Sequence, residues 1–196
     1  TADAKTKVYG AANPALTATI TGFANGETLA TSGVTGAASV TTTATALTGV
    51  GSATLTAAVG TLVSANYAFT FTAGALTITK APLTVTANPV GRVYGVANPA
   101  LTATLTGFVN GETLGTSGVT GTAAVTTTAT LTSPATTYVI TPALGDLAAA
   151  NYAFATFTDG VLTVGQKALT ITADAKTKVY GAANPALTAT ITGFAN

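Results

Sequence analysis

The 196-residue chain is 47% apolar, an ordinary value for a folded protein, but only 7% of its residues are charged, against a usual fraction of about a quarter. This composition excludes intrinsic disorder, which requires low hydrophobicity and high net charge. The net charge of +1 provides no basic surface for nucleic acid. No apolar run reaches the roughly eighteen residues of a membrane-spanning helix, and the lack of cysteine excludes disulfides and thiolate metal sites.

The dominant feature of the chain is a repeated segment, K/R-V-Y-G-x-A-N-P-A-L-T-A-T-I/L-T-G-F. Its copies begin at Lys7, Arg92 and Lys178, which gives periods of 85 and 86 residues. The third copy belongs to a longer identity, because Thr172–Asn196 repeats Thr1–Asn25 without a change. Such a long period indicates domains rather than solenoid coils, whose repeats span about 20–50 residues.

The repeats predict how the chain is divided. The first repeat covers residues 1–80 and lacks its initial strand, the second covers residues 81–166, and residues 167–196 are the opening strands of a third. Only Lys80, Ala81 and Pro82 separate the last strand of the first repeat from the first strand of the second. A linker this short leaves neighbouring domains little freedom. We therefore expect an elongated, semi-rigid rod that belongs to a longer polypeptide.

Within each repeat the hydrophobic period is two, which predicts β-strands. In residues 16–21, for example, apolar side chains alternate strictly with Thr, whose branched Cβ favours the extended backbone. This alternation is typical of antiparallel sheets with one buried face. The prediction is an all-β fold of tandem antiparallel sandwich or grasp-like domains of about 85 residues. Residues 25–29 are compatible with a turn or with one turn of helix capped by Asn25, and we favour the helix.

Two kinds of turn are predicted. In each repeat a loop follows the first strand, because Gly permits unusual φ and Pro fixes it. The loop residues are Tyr9, Gly10, Asn13 and Pro14 in the first repeat and Tyr94, Gly95, Asn98 and Pro99 in the second. Near the end of the second repeat Asp159-Gly160 predicts a two-residue hairpin that pairs Phe157 with Leu162. Ala73-Gly74 stands at the same place in the first repeat.

Several motifs in fixed order resemble those of a known family. In the first repeat they are Val8-Tyr9-Gly10, Asn13-Pro14, Gly22–Thr28, Asn66–Phe69 and Gly74–Ala81, and the second repeat carries the same series. On these residues the chain resembles the mostly-beta glycine-rich (MBG) domain of the YGX type. That family occurs in tandem in very large bacterial surface and secreted proteins, including filamentous haemagglutinin-like adhesins. The resemblance implies a stalk or fibre role outside the cell and supplies no catalytic residues.

The residue inventory argues against catalysis and metal binding. There is no His to act as a general base and no Cys nucleophile. The acidic residues stand at scattered loop positions: Asp3, Glu27, Glu112, Asp146, Asp159 and Asp174. They predict neither the paired carboxylates of a glycosidase nor the several carboxylate oxygens that calcium requires. We therefore expect no enzyme activity, no cofactor and no metal site.

Two special roles would use residues that recur in both repeats: an isopeptide crosslink and an ice-binding surface. A Lys–Asn isopeptide crosslink beside an acid would use residues present in both repeats: Lys80, Asn66 and Glu27 in the first, and Lys167, Asn151 and Glu112 in the second. This chemistry requires all three groups to be buried together, whereas a Lys at a strand end usually faces solvent. Rows of Thr-x-Thr also occur on ice-binding surfaces, but twisted strands do not easily supply the flat array that ice requires.

Two functions are consistent with these observations. The first is a structural segment of a long bacterial extracellular fibre or surface protein. The alternative is an adhesive module whose loops, such as residues 33–38, contact a glycan or a host surface. A binder is expected to expose aromatic side chains, whereas Tyr and Phe fall on predicted core positions here. Because strand edges are usually protected by charge, the low charge predicts that neighbouring copies cover them in a fibre. Nucleic acid and a membrane span are not expected.

Overall fold

The computed structural model describes residues 1–195, which form thirteen β-strands and no helix. The strands are β1 (Lys5–Val8), β2 (Ser39–Thr41), β3 (Gly51–Ala58), β4 (Gly74–Thr79), β5 (Ala81–Ala87), β6 (Val90–Val93), β7 (Ala103–Thr106), β8 (Ala124–Thr127), β9 (Thr137–Ala143), β10 (Tyr152–Thr158), β11 (Gly160–Gly165), β12 (Thr170–Ala173) and β13 (Ala189–Thr192). The all-β class predicted from the alternation of Thr with aliphatic residues is confirmed.

Two four-stranded sheets share one topology. The first has the strand order β1-β4-β3-β2 and the second has the order β6-β11-β9-β8. In each sheet the β1–β4 or β6–β11 pair is parallel and the remaining pairs are antiparallel. The sheets are therefore mixed, a departure from the purely antiparallel expectation. Parallel pairing requires a long connection between the two strands, and here that connection contains the other strands of the same sheet.

The alternating pattern places one face of each sheet in a core, because successive side chains of a strand point to opposite faces. In the first sheet Leu55, Leu76 and Ile78 are at most 2% exposed, whereas the intervening Thr56 and Thr77 face solvent. Burying a Leu or Ile side chain contributes about 1.5–3 kcal/mol. The aliphatic positions of the repeat thus hold the sheet, and its Thr positions form the outer surface.

The chain packs into two compact units. The first contains Thr1–Thr84, Leu105–Thr122 and Asp146–Thr156, and the second contains Val85–Thr104, Ala123–Gly145 and residues 157–195. The core of the first includes Tyr9, Leu55, Leu76, Ile78, Leu83 and Tyr152; that of the second includes Ala87, Ala129, Ile140, Leu162 and Val164. Each unit therefore contains residues of more than one repeat. The repeat boundaries at residues 80 and 166 stay a prediction.

Two smaller sheets complete the described strands. Strand β5 lies between β10 and β7, and β12 pairs with β13. The inward side chains of β5, those of Ala81, Leu83 and Val85, are at most 1% exposed. Residues 18–21 have the same sequence as β13, but they form only an isolated bridge between Ala2 and Ala18.

The hairpin predicted at Asp159-Gly160 is wrong. Strand β10 pairs in the sheet of β5, whereas β11 pairs with β6 and β9, so Leu162 faces Tyr138 rather than Phe157. A Cβ on Gly160 would lie 2.5 Å from the carbonyl oxygen of Ala87. This glycine therefore permits a close backbone approach where the chain passes from one sheet to the other. The hairpin of the first repeat is wrong for the same reason, because β4 pairs with β3 and β1.

The turn of helix predicted at residues 25–29 is also wrong. Asn25 and Gly26 have φ values of 54° and 70°, and the N–H of Glu27 donates to the carbonyl of Ala24 at 2.9 Å. Positive φ at both central residues, closed by this hydrogen bond, is typical of a type I′ turn. The second repeat has the same turn at Asn110-Gly111. In both repeats the turn leads directly to a glutamate, Glu27 in the first and Glu112 in the second.

Candidate functional site

The basic residue that opens each of the first two copies of the repeated motif is buried. Lys7 is 6% exposed, and its Nζ donates to the carbonyl oxygen of Thr45 at 2.6 Å. Arg92, at the same place in the second repeat, is 8% exposed and donates to the carbonyl of Thr130 and to Oδ1 of Asn98. Because a buried cation requires hydrogen-bond acceptors, these side chains fix the loop that follows them.

The loop residues named from the sequence lie together after β1 and β6. They are Tyr9, Gly10, Asn13 and Pro14 in one loop and Tyr94, Gly95, Asn98 and Pro99 in the other. Gly10 and Gly95 have φ values of 85° and 79°, a region that favours glycine. Asn13 and Asn98 each donate from Nδ2 to a carbonyl oxygen 31 residues further along the chain, at 2.7 Å.

An aromatic pair and a carboxylate form a cluster in the first repeat. The rings of Phe23 and Tyr67 meet edge to face, with their centroids 5.7 Å apart. The hydroxyl of Tyr67 donates to Oε2 of Glu27 and accepts from the N–H of Ala24 at 3.2 Å. The type I′ turn between Ala24 and Glu27 brings both groups to the tyrosine. Edge-to-face packing is the favoured geometry for such ring pairs.

The second repeat has the same cluster, and a tyrosine of the first repeat joins it. Phe108 and Tyr152 meet edge to face at 5.5 Å, and the Tyr152 hydroxyl donates to Oε2 of Glu112 at 2.5 Å. Tyr9 packs edge to face on Tyr152 at 5.6 Å and donates to Oε1 of Glu112 at 2.6 Å. One carboxylate therefore accepts a hydrogen bond from a tyrosine hydroxyl of each of two repeats. We call Tyr9, Glu112 and Tyr152 the tyrosine joint.

The glycine that follows the motif tyrosine, at Gly10, Gly95 and Gly181, has different surroundings in the three copies. A Cβ on Gly10 would lie 2.3 Å from Cγ2 of Val109, and one on Gly95 would lie 2.4 Å from Cβ of Ala195. A Cβ on Gly181 would meet nothing within 4 Å. The same motif position is thus covered by the following repeat in the first two copies and open in the third. Tyr180, the tyrosine of the third copy, is fully exposed.

The joint alters the pKa values of its members. The hydroxyls of Tyr152 and then Tyr9 stabilise the ionised Glu112 and lower the pKa of its carboxyl. Burial, and then the hydrogen bond to Glu112, raises the pKa of Tyr152 to about 12. The pKa of Tyr9 is raised by its hydrogen bond to Glu112 and by burial. The joint is therefore arranged for an ionised carboxylate between two neutral phenols.

These pKa shifts predict a range of pH over which the stability of the fold is nearly constant. Glu112 stabilises the fold above its unfolded pKa of 4.5, and this contribution disappears as the pH falls through its lowered folded value. The tyrosines stabilise the fold below their unfolded pKa of 10.0, and this is lost as the pH rises toward about 12. We expect Tm to be highest between about pH 5 and 10.

Glu112→Gln is the matched control for the acid side of that profile. Hydrogen bonds from Thr residues also lower the pKa of Asp3, Asp146 and Asp174, so the variant keeps part of the acid decline. The readout is the difference in Tm between wild type and variant, which should shrink between about pH 7 and 3 as Glu112 becomes protonated. An equal difference in Tm at about pH 7 and pH 3 would contradict the assignment of this pH dependence to Glu112.

A second set of close contacts holds β5, the first strand of the second repeat, through its backbone. The N–H of Ala81, at the start of β5, donates to the carbonyl of Asn151 at 3.0 Å. A Cβ on Gly107 would lie 2.9 Å from the carbonyl oxygen of Pro82 and 3.6 Å from Cα of Leu83. Strand β5 lies between β7 and β10 and leaves no room for a Cβ at Gly107. We call this insertion of β5 the strand lock.

The crosslink candidates of the first repeat have separate partners. Nζ of Lys80 donates to the carbonyl of Ala149 at 2.8 Å. Glu27 accepts from the hydroxyl of Tyr67, and Asn66 is exposed. Lys80 therefore contributes a hydrogen bond to a segment of the second repeat, close to the strand lock.

The candidates of the second repeat are placed similarly. Oδ1 of Asn151 accepts from the N–H of Val50 at 3.1 Å, and Glu112 belongs to the tyrosine joint. Lys167 is exposed, and its Nζ lies 3.4 Å from the carbonyl of Phe194. The isopeptide hypothesis stays a prediction that intact mass tests, because each crosslink releases one ammonia.

The remaining acidic residues support local structure. Asp3 accepts from the hydroxyls of Thr17 and Thr19 at 2.5 and 2.6 Å, and Asp146 accepts from the N–H of Thr122 at 2.7 Å. Among residues 1–195, no three His, Cys, Asp or Glu side chains are grouped so that they could hold a metal ion. The described chain also contains no helix that is long and apolar enough to cross a membrane.

Sequence reasoning missed the tyrosine joint. It placed Tyr9 in a loop and Glu112 among isolated acids, although the two side chains, 103 residues apart, share a hydrogen bond. One signal was available: Phe, Glu and Tyr recur together at the 85-residue period in Phe23, Glu27 and Tyr67. A recurring acid beside recurring aromatic residues indicates a conserved arrangement within the repeat, but not which neighbour completes it.

Comparison with known proteins gives one finding. The family model for the MBG domain (YGX type) matches the chain in three successive segments, residues 1–77, 83–163 and 169–196. No curated protein matches the chain. No solved structure matches it either. The matched segments follow the repeats that the sequence itself displays.

Proposed function

Because the chain belongs to the MBG domain (YGX type) family, we propose that it is a structural repeat segment of a long bacterial extracellular fibre or surface protein. The family suggests a repeat unit of surface proteins, and the contacts between repeats suggest what such a unit does. It transmits force and orientation along the chain as a stalk, a filament or a matrix scaffold. Its working part is the tyrosine joint rather than a ligand pocket.

The observation that carries this proposal is the shared Glu112. Its two carboxylate oxygens accept from Tyr9 of the first repeat and Tyr152 of the second, so neither repeat completes the cluster alone. Hydrogen bonds to a charged group are worth about 1.5–3 kcal/mol. Tyr152 is also 1% exposed, so separating the repeats would expose a large aromatic surface. The parts of the two repeats that share the first compact unit are therefore held in one orientation.

The alternative, an adhesive module for glycans or a host surface, depends on exposed aromatic side chains. Tyr180 and Phe194 are exposed. They are the counterparts of Tyr9 and Phe108, which pack on Tyr152 in the joint. Their exposure is therefore explained by repeat-to-repeat packing, and the structural role is the better supported proposal.

Backbone ¹⁵N relaxation of the intact chain tests this function. If the joint locks the first two repeats, the amides of β3 and of residues 152–156, which come from different repeats but share the first compact unit, should report one rotational correlation time. Glu112→Lys, which removes the acceptor and adds a charge, should shorten the apparent correlation times by loosening the joint. Independent tumbling of the two repeats in the wild-type protein would rule out a stiff structural segment.

A further inference from the structure

In each of the first two repeats, the strand that carries the start of the repeated motif pairs in parallel with the last strand of the repeat. In the first sheet Lys5–Val8 lies beside residues 76–79 of β4. In the second sheet Val90–Val93 lies beside residues 162–165 of β11. An early segment and the final segment of each repeat therefore run side by side in the same direction.

Parallel pairing decides how these two strands carry a load. Because β6 and β11 run in the same direction, the N-terminal end of β6 and the C-terminal end of β11 lie at opposite ends of the pair. A tension that enters before β6 and leaves after β11 therefore slides one strand along the other. The hydrogen bonds lie across this load and share it, since those of a parallel pair are evenly spaced. Antiparallel neighbours would be peeled apart instead, one bond at a time.

A further backbone hydrogen bond extends each pair beyond its strands. The N–H of Tyr9 donates to the carbonyl of Thr79, and the N–H of Tyr94 donates to the carbonyl of Gly165, both at 2.8 Å. The inward aliphatic side chains of β4 and β11 are at most 2% exposed. Sliding the strands apart would therefore break the ladder and expose apolar core surface together, and both losses oppose it.

The buried cation of the motif fixes the register of the pair. Arg92, the third residue of β6, donates to the carbonyl of Thr130, 38 residues further along the chain. Lys7, the third residue of β1, donates to the carbonyl of Thr45 at the same separation. A slip of one residue would turn these side chains to the solvent face, and a slip of two residues would carry them about 7 Å from their acceptors. The buried cation therefore opposes sliding in both sheets.

We propose that this parallel pair is a mechanical clamp, which resists the unfolding of a repeat when tension runs along the chain. The clamp is β1 with β4 in the first sheet and β6 with β11 in the second. It is distinct from the tyrosine joint, because each clamp lies within one sheet whereas the joint holds parts of two repeats together. The inference rests on the structural role proposed above, since a stalk or fibre is what places the chain under tension.

Single-molecule pulling of the intact chain tests the clamp. The chain has no cysteine, so two introduced thiols determine where the force is applied. Pro89→Cys with Gln166→Cys loads the second pair in shear, because these positions adjoin the start of β6 and the end of β11. Val93→Cys with Gln166→Cys is the matched control and peels the pair, since Val93 lies beside Gly165 at the same end. At one pulling speed, the unfolding force should be about threefold higher in shear, because the whole ladder shares the load.

The substituted positions suit this comparison. Pro89 and Gln166 are exposed, and Val93 is 44% exposed. The counterpart of Pro89 in the first repeat is Ala4, so the position does not require proline. Both chains carry Gln166→Cys, and a difference in force therefore comes from the direction of the load. Equal forces in the two geometries, or a higher force in peeling, would overturn the proposal. Such a result leaves the tyrosine joint intact, which the relaxation measurement tests separately.

A second measurement tests the buried cation in the shear geometry. Arg92→Met should lower the shear force about 1.5- to twofold, because it removes the donors that oppose sliding. Arg92→Lys, which introduces the residue of the first repeat, should retain most of the force. Val125→Ala is the control for general destabilisation, since Val125 packs against the same core from β8, outside the clamp. It should lower Tm and leave the shear force nearly unchanged. If Val125→Ala lowered the shear force as much as Arg92→Met, the buried cation would have no mechanical role.

Discussion

Replacing Tyr152 with Ala is expected to lower the free energy of unfolding of the first compact unit by about 3–5 kcal/mol. The side chain is 1% exposed and packs edge to face on both Tyr9 and Phe108. Its removal leaves a cavity and takes one of two hydroxyl donors from Glu112. Urea denaturation followed by circular dichroism measures the loss, which should appear as a lower midpoint.

Tyr67→Ala is the matched control for this prediction. Tyr67 is the counterpart of Tyr152, with the same partners in its own repeat, Phe23 and Glu27. It is only half-buried. Its replacement should therefore cost clearly less, about 1–2 kcal/mol. Equal losses for the two variants would mean that the packing of Tyr9 on Tyr152 adds nothing to stability.

Gly10→Ala is expected to destabilise the first unit by about 2–4 kcal/mol. Its φ of 85° is unfavourable for any residue with a Cβ. The new Cβ would also lie 2.3 Å from Cγ2 of Val109, so the following repeat would have to shift. Thermal unfolding monitored by circular dichroism gives the change in stability.

Gly181→Ala separates the effect of the positive φ from the effect of the close contact with Val109. Gly181 has the same sequence neighbours and a φ of 81°, but a Cβ there would meet nothing within 4 Å. This variant therefore carries the conformational penalty alone, about 1 kcal/mol. If Gly10→Ala and Gly181→Ala have the same effect, the close approach of Val109 is not a constraint on the fold.

The secondary structure of most of the chain follows from the sequence, because alternation of Thr with aliphatic residues is a local property that strands express directly. Strand pairing is not local. Residues 18–21 and 189–192 have one sequence, yet only the second stretch forms a strand, β13, because β12 stands beside it. The first is paired only through the isolated bridge between Ala2 and Ala18.

The failed hairpin has a related cause. Asp159-Gly160 is a strong local turn signal, but Phe157 and Leu162 belong to strands whose partners come from elsewhere in the chain. Gly160 is required by its contact with the Ala87 carbonyl instead. The tyrosine joint was hidden for the same reason, because a residue inventory cannot indicate that Tyr9 reaches a glutamate of the next repeat. Periodicity identifies equivalent positions, and packing decides which of them meet.

A double-mutant cycle between Tyr9→Phe and Glu112→Gln tests the central claim, that a carboxylate of one repeat is bound by a tyrosine of the repeat before it. The two side chains are joined by a hydrogen bond of 2.6 Å. We predict that the loss of unfolding free energy in the double variant is smaller than the sum of the two single-variant losses, by a coupling of about 1–3 kcal/mol. Additivity within about 0.3–0.5 kcal/mol would contradict the joint and the stiff structural role built on it.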